Sequence, residues 1–216
     1  GQSVFYKFYE DEGWKFIKTN FPQYTVFHEM LRKKVVGVKY RSIVKVRRPN
    51  DELKKLIEIE SKDELLGALQ NVIGFVTQHS GLLMNSFGVF GSMLHGFYHP
   101  KFSDIDLIIY RRENVAKLHE TLQELYEDVR SLLRNEFENE ESIRGKYWRF
   151  QNYSPKEFMW HQQRKMFYAL FNDEKSGRII KTEFEPVKDW EEIEDEHFFE
   201  TKIVQKGWAK MFAHIT

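Results

Sequence analysis

The stretch Phe87-Gly-Val-Phe-Gly-Ser-Met-Leu-His-Gly-Phe-Tyr-His-Pro-Lys-Phe-Ser-Asp-Ile-Asp-Leu-Ile-Ile-Tyr110 decides how this chain is read. A short apolar run ends at Gly91-Ser92, a glycine-containing segment follows, and Asp104 and Asp106 open a second apolar run. In a strand, residues i and i+2 share a face. Both carboxylates are therefore expected to project together, with Ile105 and Leu107 turned the other way into a core. Two close carboxylates repel, and their ionised pair is costly unless a cation sits between them. An oxygen-only set of this kind suits Mg2+, which binds a few carboxylates and fills its shell with water and substrate phosphates. Gly91 lets the backbone approach a phosphate closely. Ser92 at a helix start offers a hydroxyl and amide N–H groups where the helix dipole favours an anion.

Upstream, residues 1 to about 50 hold short alternating segments such as Val4–Tyr9 and Val35–Val46, broken by Asp11-Glu-Gly13 and Asn20-Phe-Pro22. Their β-branched and aromatic content predicts a small β-rich module with Arg47-Arg-Pro-Asn50 as its exit. A helix is expected over Asp51–Glu58. Ser61-Lys-Asp-Glu64 reads as a capping box with Ser61 as N-cap, opening a helix whose apolar positions Leu65, Leu66, Leu69, Val72, Ile73 and Val76 keep helical spacing up to Gly81. Downstream of the aspartates, leucines at 118, 122, 125, 132 and 133 predict a long helix from about Glu113 to Asn135 with one buried stripe. Glu136–Glu141 reads as an exposed charged interval.

Ser154-Pro-Lys-Glu157 is a helix start, with serine as N-cap and proline at the first helical position, and that helix should run to about Lys165. Met166–Phe171, Asn172–Gly177 and Arg178–Glu185 then read as a β-hairpin with glycine in its turn. Pro186 is expected to end the second strand. The acidic run Asp189–Glu196 reads as a loop or short helix, and the last 20 residues as one or two strands, a partial β segment from about 197. The domains so drawn are 1–50 and 51–216.

Composition narrows the function. Lysine plus arginine and aspartate plus glutamate balance at 33 each over 216 residues, so no global field argues for nucleic acid. The absence of cysteine excludes disulfides, thiolate zinc sites and a cysteine nucleophile, and fits an intracellular protein. No apolar run approaches the roughly 18 residues that span a bilayer, and no signal-peptide profile opens the chain, so a soluble cytoplasmic protein with no membrane partner is expected. A start at Gly1 and a stop within strand-like Trp208–Ile215 read as a piece of a longer chain. Neither a Gly-x-Gly-x-x-Gly nor a Walker-type loop occurs, which disfavours dinucleotide oxidoreductases and P-loop enzymes.

Gly91-Ser92, Gly96 and Ser103-Asp104-Ile-Asp106 together resemble the signature of the polymerase-beta-like nucleotidyltransferases, with eleven residues between Ser92 and Asp104. The wider context, a β-rich start and a basic helix leading into a hairpin, is similar to a family of uncharacterised archaeal predicted nucleotidyltransferases. The resemblance implies an α+β fold, α/β-like, in which a mixed β-sheet is backed by helices. It implies Mg2+-dependent (or Mn2+-dependent) transfer of a nucleoside monophosphate from an NTP, ATP among them, to an acceptor hydroxyl on RNA, a small molecule or a protein, with release of pyrophosphate. Gly91 and Ser92 would hold the triphosphate, Ser103 would position the turn, and Asp104 and Asp106 would hold metal.

A third carboxylate is implied on a later strand. Lys181, Glu183 and Glu185 share one face of the second hairpin strand by period two. Glu183 is the favoured catalytic and metal-binding residue and Glu185 the alternate, where the family carries aspartate. A nucleotide-binding basic residue is sought at Lys181 or in the basic-aromatic segments Arg144–Arg149 and Trp160–Lys165, and Arg111 and Arg112 could also face phosphates. The resemblance also admits two other readings, a catalytically impaired nucleotide- or RNA-binding module and an antitoxin-like interaction protein. His95 and His99 lie near the aspartates, yet no i,i+4 pattern with glutamate supports zinc, so both are read as packing or loop residues.

Overall fold

The computed structural model describes residues 11–139, 143, 154–193, 204, 206 and 207. Contacts divide the chain into Arg47–Ile193 and a smaller unit taking the remaining segments. The smaller unit holds helix α1 (Glu12–Asn20) and an antiparallel hairpin of β1 (Thr25–His28) and β2 (Lys33–Val36), with Thr25 opposite Val36. The helix stands where Asp11-Glu-Gly13 was expected to break a β module. Glu12 in its first turn and Lys18 in its last oppose the helix dipole, and Gly13 falls in the first turn, where its cost is smallest. Alternation from Val35 to Val46 yields a strand only as far as Val36. Tyr40–Ser42 turns instead, and Val44 is 99% exposed, because alternation without a pairing strand does not make a sheet. The strand expected at Val4–Tyr9 lies outside the described residues, as do those of the last 20 residues apart from 204, 206 and 207.

The larger unit runs α2 (Pro49–Glu58), α3 (Glu64–Ser80), β3 (Phe87–Val89), α4 (Gly91–His95), β4 (Ile105–Tyr110), α5 (Arg112–Glu127), β5 (Leu133–Asn135), α6 (Pro155–Lys165), β6 (Tyr168–Asp173) and β7 (Arg178–Val187). Its five strands form one sheet in the order β3-β4-β7-β6-β5. The central pair β4–β7 is parallel and the other three pairs are antiparallel, giving the mixed sheet of an α+β fold. Burial alternates residue by residue along β4 and over Ile180–Phe184 of β7. Ile105, Leu107, Ile109, Ile180, Thr182 and Phe184 lie on the core face with Leu69, Val72, Ile73 and Val76 of α3 and Leu118 and Leu122 of α5. The opposite face carries Asp106, Lys181, Glu183 and Glu185, all half-buried. Among the described residues no helix is long and apolar enough to cross a membrane.

Local chemistry explains where the elements begin and end. The N-cap of α3 is Asp63 rather than Ser61. One Asp63 carboxylate oxygen accepts from the N–H groups of Leu65 and Leu66 at 3.0 Å each, while the Ser61 hydroxyl donates to the Asp63 carbonyl. Helix α5 stops at Glu127, eight residues earlier than the leucine spacing predicts, because Asp128 accepts from Arg130 N–H and its carbonyl from Ser131 N–H, a local turn that competes with the helix. Leu133 is buried all the same, from strand β5. The next residue group was expected to be exposed. Instead Glu136 donates its N–H to the Tyr168 carbonyl, extending the β5–β6 pairing, and its side chain is buried.

Helix α6 begins at the expected Ser154 N-cap, and the pair closes as a capping box, the Ser154 hydroxyl accepting from Glu157 N–H and the Glu157 carboxylate from Ser154 N–H. Pro186 does not end β7. Phe184 N–H points to the β6 side, donating to the Phe167 carbonyl, so Pro186, two residues on, lacks its N–H on the side where the β6–β7 ladder has already ended at Tyr168. The parallel register with β4 continues past it to Val187.

Candidate active site

Asp104 stands just before β4 and Asp106 is the strand's second residue. The parallel register sets Asp106 directly opposite Glu183, and Ile108 opposite Glu185. Neighbouring strands lie about 4.8 Å apart and same-face residues about 7 Å apart along a strand. Glu183 is therefore the immediate neighbour of the aspartate pair, and Glu185 is one step further off. On its other side Glu183 faces Tyr168 of β6. Burial chiefly, then the charges of Asp104 and Glu183, push the Asp106 carboxyl up to about 6 against the pull of Lys181. Glu183 is also raised, first by burial, with Lys181 opposing and Asp104, Glu136 and Glu185 adding to the rise. None of Asp104, Asp106 and Glu183 has an ion pair among the described residues. As the side chains stand, no three His, Asp or Glu groups among the described residues converge closely enough to hold a metal ion. The chemistry of the donor set nevertheless fits a hard divalent cation: three carboxylates share one open face, and their mutual repulsion is what a cation would relieve.

Gly91 fits against this set in a way no other residue could. Its φ is +61°, and a Cβ there would collide with the Asp106 carboxylate oxygen Oδ2. Phe90 N–H donates to the Asp106 carbonyl at 3.0 Å, so the start of α4 is tied to β4. Gly96, at φ +71°, closes this short helix, and the Arg47 guanidinium donates to the Leu94 carbonyl at 3.0 Å. Ser92 lies half-buried in the first turn, its carbonyl accepting from Phe97 N–H. Ser103 closes the turn that leads into the aspartates: its hydroxyl accepts from His99 N–H at 2.9 Å and its N–H donates to the His99 carbonyl at 3.0 Å.

The expected cations are found in other company. Lys181 shares the carboxylate face but ion-pairs with Glu136 at 2.7 Å, and the Glu136 side chain is only 5% exposed. Burial pulls the Lys181 ammonium down, but its hydrogen bond and charge contact with Glu136, helped by Glu183 and Asp104, hold it above its usual range. Arg111 binds Asp189 at 2.9 Å and Glu191 at 2.7 Å, so its guanidinium is taken, while Arg112 gives its backbone N–H to Glu192 and keeps an exposed side chain. They sit at the far end of β4, beside a cavity of about 690 Å3 lined by Arg48, Asn50, Asn85, Asn114 and Trp190. Arg164 lies over the Trp160 ring at 4.5 Å on α6, and Arg144–Arg149 falls outside the described residues. Glu136 and Tyr168 are the site's neighbours that the sequence reading did not single out. Leu133 and Phe137 keep a spacing of four that fits a helix as well as a strand, so no local signal marked a strand running into Glu136.

A family model described as "Nucleotidyltransferase domain" matches residues 69–180, a little over half of the chain. The chain belongs to the nucleotidyltransferase domain family. The match runs from within α3 into β7, so it includes Gly91, Ser92, Asp104 and Asp106 and ends three residues before Glu183. A nucleotidyltransferase domain implies nucleotidyl transfer as the reaction class and an NTP as substrate. Neither a curated protein nor a solved structure matches the chain.

Proposed function

We propose that this protein transfers a nucleoside monophosphate from an NTP to an acceptor hydroxyl, releasing pyrophosphate, with Mg2+ or Mn2+ as cofactor. The observation that carries the reading is the parallel register that sets Glu183 beside Asp106, so that a third carboxylate joins the pair read from sequence. Asp104, Asp106 and Glu183 would hold the cation. When bound, it neutralises charge on the α-phosphate and the leaving pyrophosphate and acidifies the attacking hydroxyl. Gly91 keeps the backbone clear of Asp106 so that the first turn of α4, with the Ser92 hydroxyl, can receive the triphosphate. Ser103 holds the approach to the aspartates, and Lys181, seated on Glu136, presents a positive charge on the same face. In the reaction the acceptor oxygen bonds the α-phosphorus, the bond from that phosphorus to the β-bridging oxygen breaks, and the hydroxyl proton is lost to solvent.

The test is incubation with α-labelled or γ-labelled NTP in Mg2+ or Mn2+ and a panel of acceptors. Label should enter product from the α position only, and chelation should abolish it. Asp104→Asn and Asp106→Asn should each lower transfer by about a thousandfold or more. Unchanged transfer in Asp106→Asn would sink the site assignment. Tight NTP binding without product across acceptors would establish the inert binding module, and a stoichiometric co-purifying partner the antitoxin-like protein.

A further inference from the structure

The loop between α4 and the aspartates leaves two ring pairs facing solvent. Phe102 is 84% exposed, with the His99 imidazole against it at 4.5 Å between ring centres. Upstream, His95 and Phe97 stack nearly parallel at 5.8 Å. Rings on an exposed loop ordinarily swing with it. This loop is tied down. The Arg178 guanidinium donates to the carbonyls of Pro100, at 2.5 Å, and Lys101, at 2.7 Å. The Tyr98 hydroxyl donates to Asp63 at 2.8 Å, and Ser103 closes the turn from below. His99 Nδ1 accepts from Lys101 N–H at 3.1 Å, which fixes the plane of the imidazole.

A large aromatic surface held in place in water is unfavourable unless something covers it. Phe102 and Asp104 are two residues apart, so their Cα atoms are at most about 7 Å from one another. Lys101, exposed and between the two in sequence, supplies a cation. An aromatic face, an imidazole and an ammonium beside a phosphate-handling site are the groups that recognise a base together with its phosphate.

We propose that His99 and Phe102 form a stacking platform for a nucleobase at the mouth of the carboxylate site. The proposal rests on the transfer reading above for its neighbourhood. The base belongs either to the NTP or to the end of a single-stranded RNA acceptor, since stacking recognises the π-face that both present. Arg178 is a positioning residue that holds the platform in place.

The experiment measures binding of ATP and of a short oligoadenylate RNA to the wild-type chain, Phe102→Ala and Phe102→Trp, and repeats it in an Asp106→Asn background. Phe102 is exposed, so its variants should fold, which circular dichroism checks. Phe102→Ala should weaken at least one probe by about tenfold or more, and Phe102→Trp should restore it. Weakening of ATP alone assigns the platform to the incoming nucleotide, and weakening of RNA alone assigns it to a nucleic-acid acceptor. Affinities of both probes within twofold of wild type in Phe102→Ala would overturn the proposal. Base binding that persists in Asp106→Asn while transfer is lost upholds both readings. Unchanged transfer in Asp106→Asn would remove the assignment of the carboxylate site and leave the platform standing.

Discussion

At the C-terminal end of β4 Arg111 is held by Asp189 and Glu191, and a third carboxylate, Glu192, caps the N–H of Arg112. At the N-terminal end of the same strand Asp104, Asp106 and the facing Glu183 have no ion pair among the described residues, and the Asp106 carboxyl is pushed up to about 6. Both ends lie in one sheet and draw on the same residue types. The difference is that the carboxylates at one end are engaged by a guanidinium and a backbone N–H of the fold, whereas those at the other have no ion pair among the described residues. Perturbed carboxylates of this kind gather where chemistry is done.

The sharpest way to break the comparison is at the third carboxylate. Glu183→Gln should lower transfer by about a hundredfold, whereas Glu185→Gln, one step further along the strand, should stay within about fivefold. Steady-state rates at saturating NTP decide this, and a reversed order would move the third ligand to Glu185. Next in size is Lys181→Met, which removes the 2.7 Å ion pair from the buried Glu136 carboxylate. It should cost about 2 kcal/mol, less than a fully buried pair because the lysine end is wetted, and Lys181→Met combined with Glu136→Gln should recover part of that loss in thermal melts.

A smaller effect follows from Asp106 in metal-free protein. Its folded pKa of about 6 lies above the usual 3.8, so the folded state favours the protonated form. Stability from this group is therefore full at low pH and is lost as pH rises from about 4 through 6. Asp106→Asn should accordingly melt about 3 °C higher than wild type at pH 7 in a chelator, allowing for solvent screening of this half-buried group, and the gap should close toward pH 4. Smallest of all, Arg111→Ala should leave transfer within about threefold, because that arginine serves the far end of the strand.

Periodicity carried much of this structure. The alternation in Ile105–Tyr110 and in Arg178–Glu185, the N-cap at Ser154 and the Gly91 turn were all legible, because each is set by residues within a few positions of one another. What escaped was set at longer range or by competition. Asp63 displaced Ser61 as the cap by offering one oxygen to two N–H groups. The leucines at 132 and 133 kept helical spacing, yet Asp128 and Ser131 turned the chain and Leu133 entered a strand. Glu136 read as one more solvated charge, since nothing nearby in sequence announces Lys181, its partner across the sheet. Within the site, the aspartate pair was plain from its own spacing, but the choice between Glu183 and Glu185 depends on a parallel register that no local pattern specifies.

That register makes the hairpin sensitive to insertion. Along β7 the residues facing Asp106 and those facing the core interleave one by one, with Thr182 and Phe184 buried on either side of Glu183. One residue added between the Gly177 turn and Thr182 would have to be absorbed as a bulge, or it would turn the three charged side chains into the apolar layer and bring the buried ones out. Changes of length are therefore admissible in the Glu174–Gly177 tip or beyond Val187, and excluded from the strand between them, where a shift of about 3.3 Å along the strand exchanges a carboxylate-bearing surface for a core.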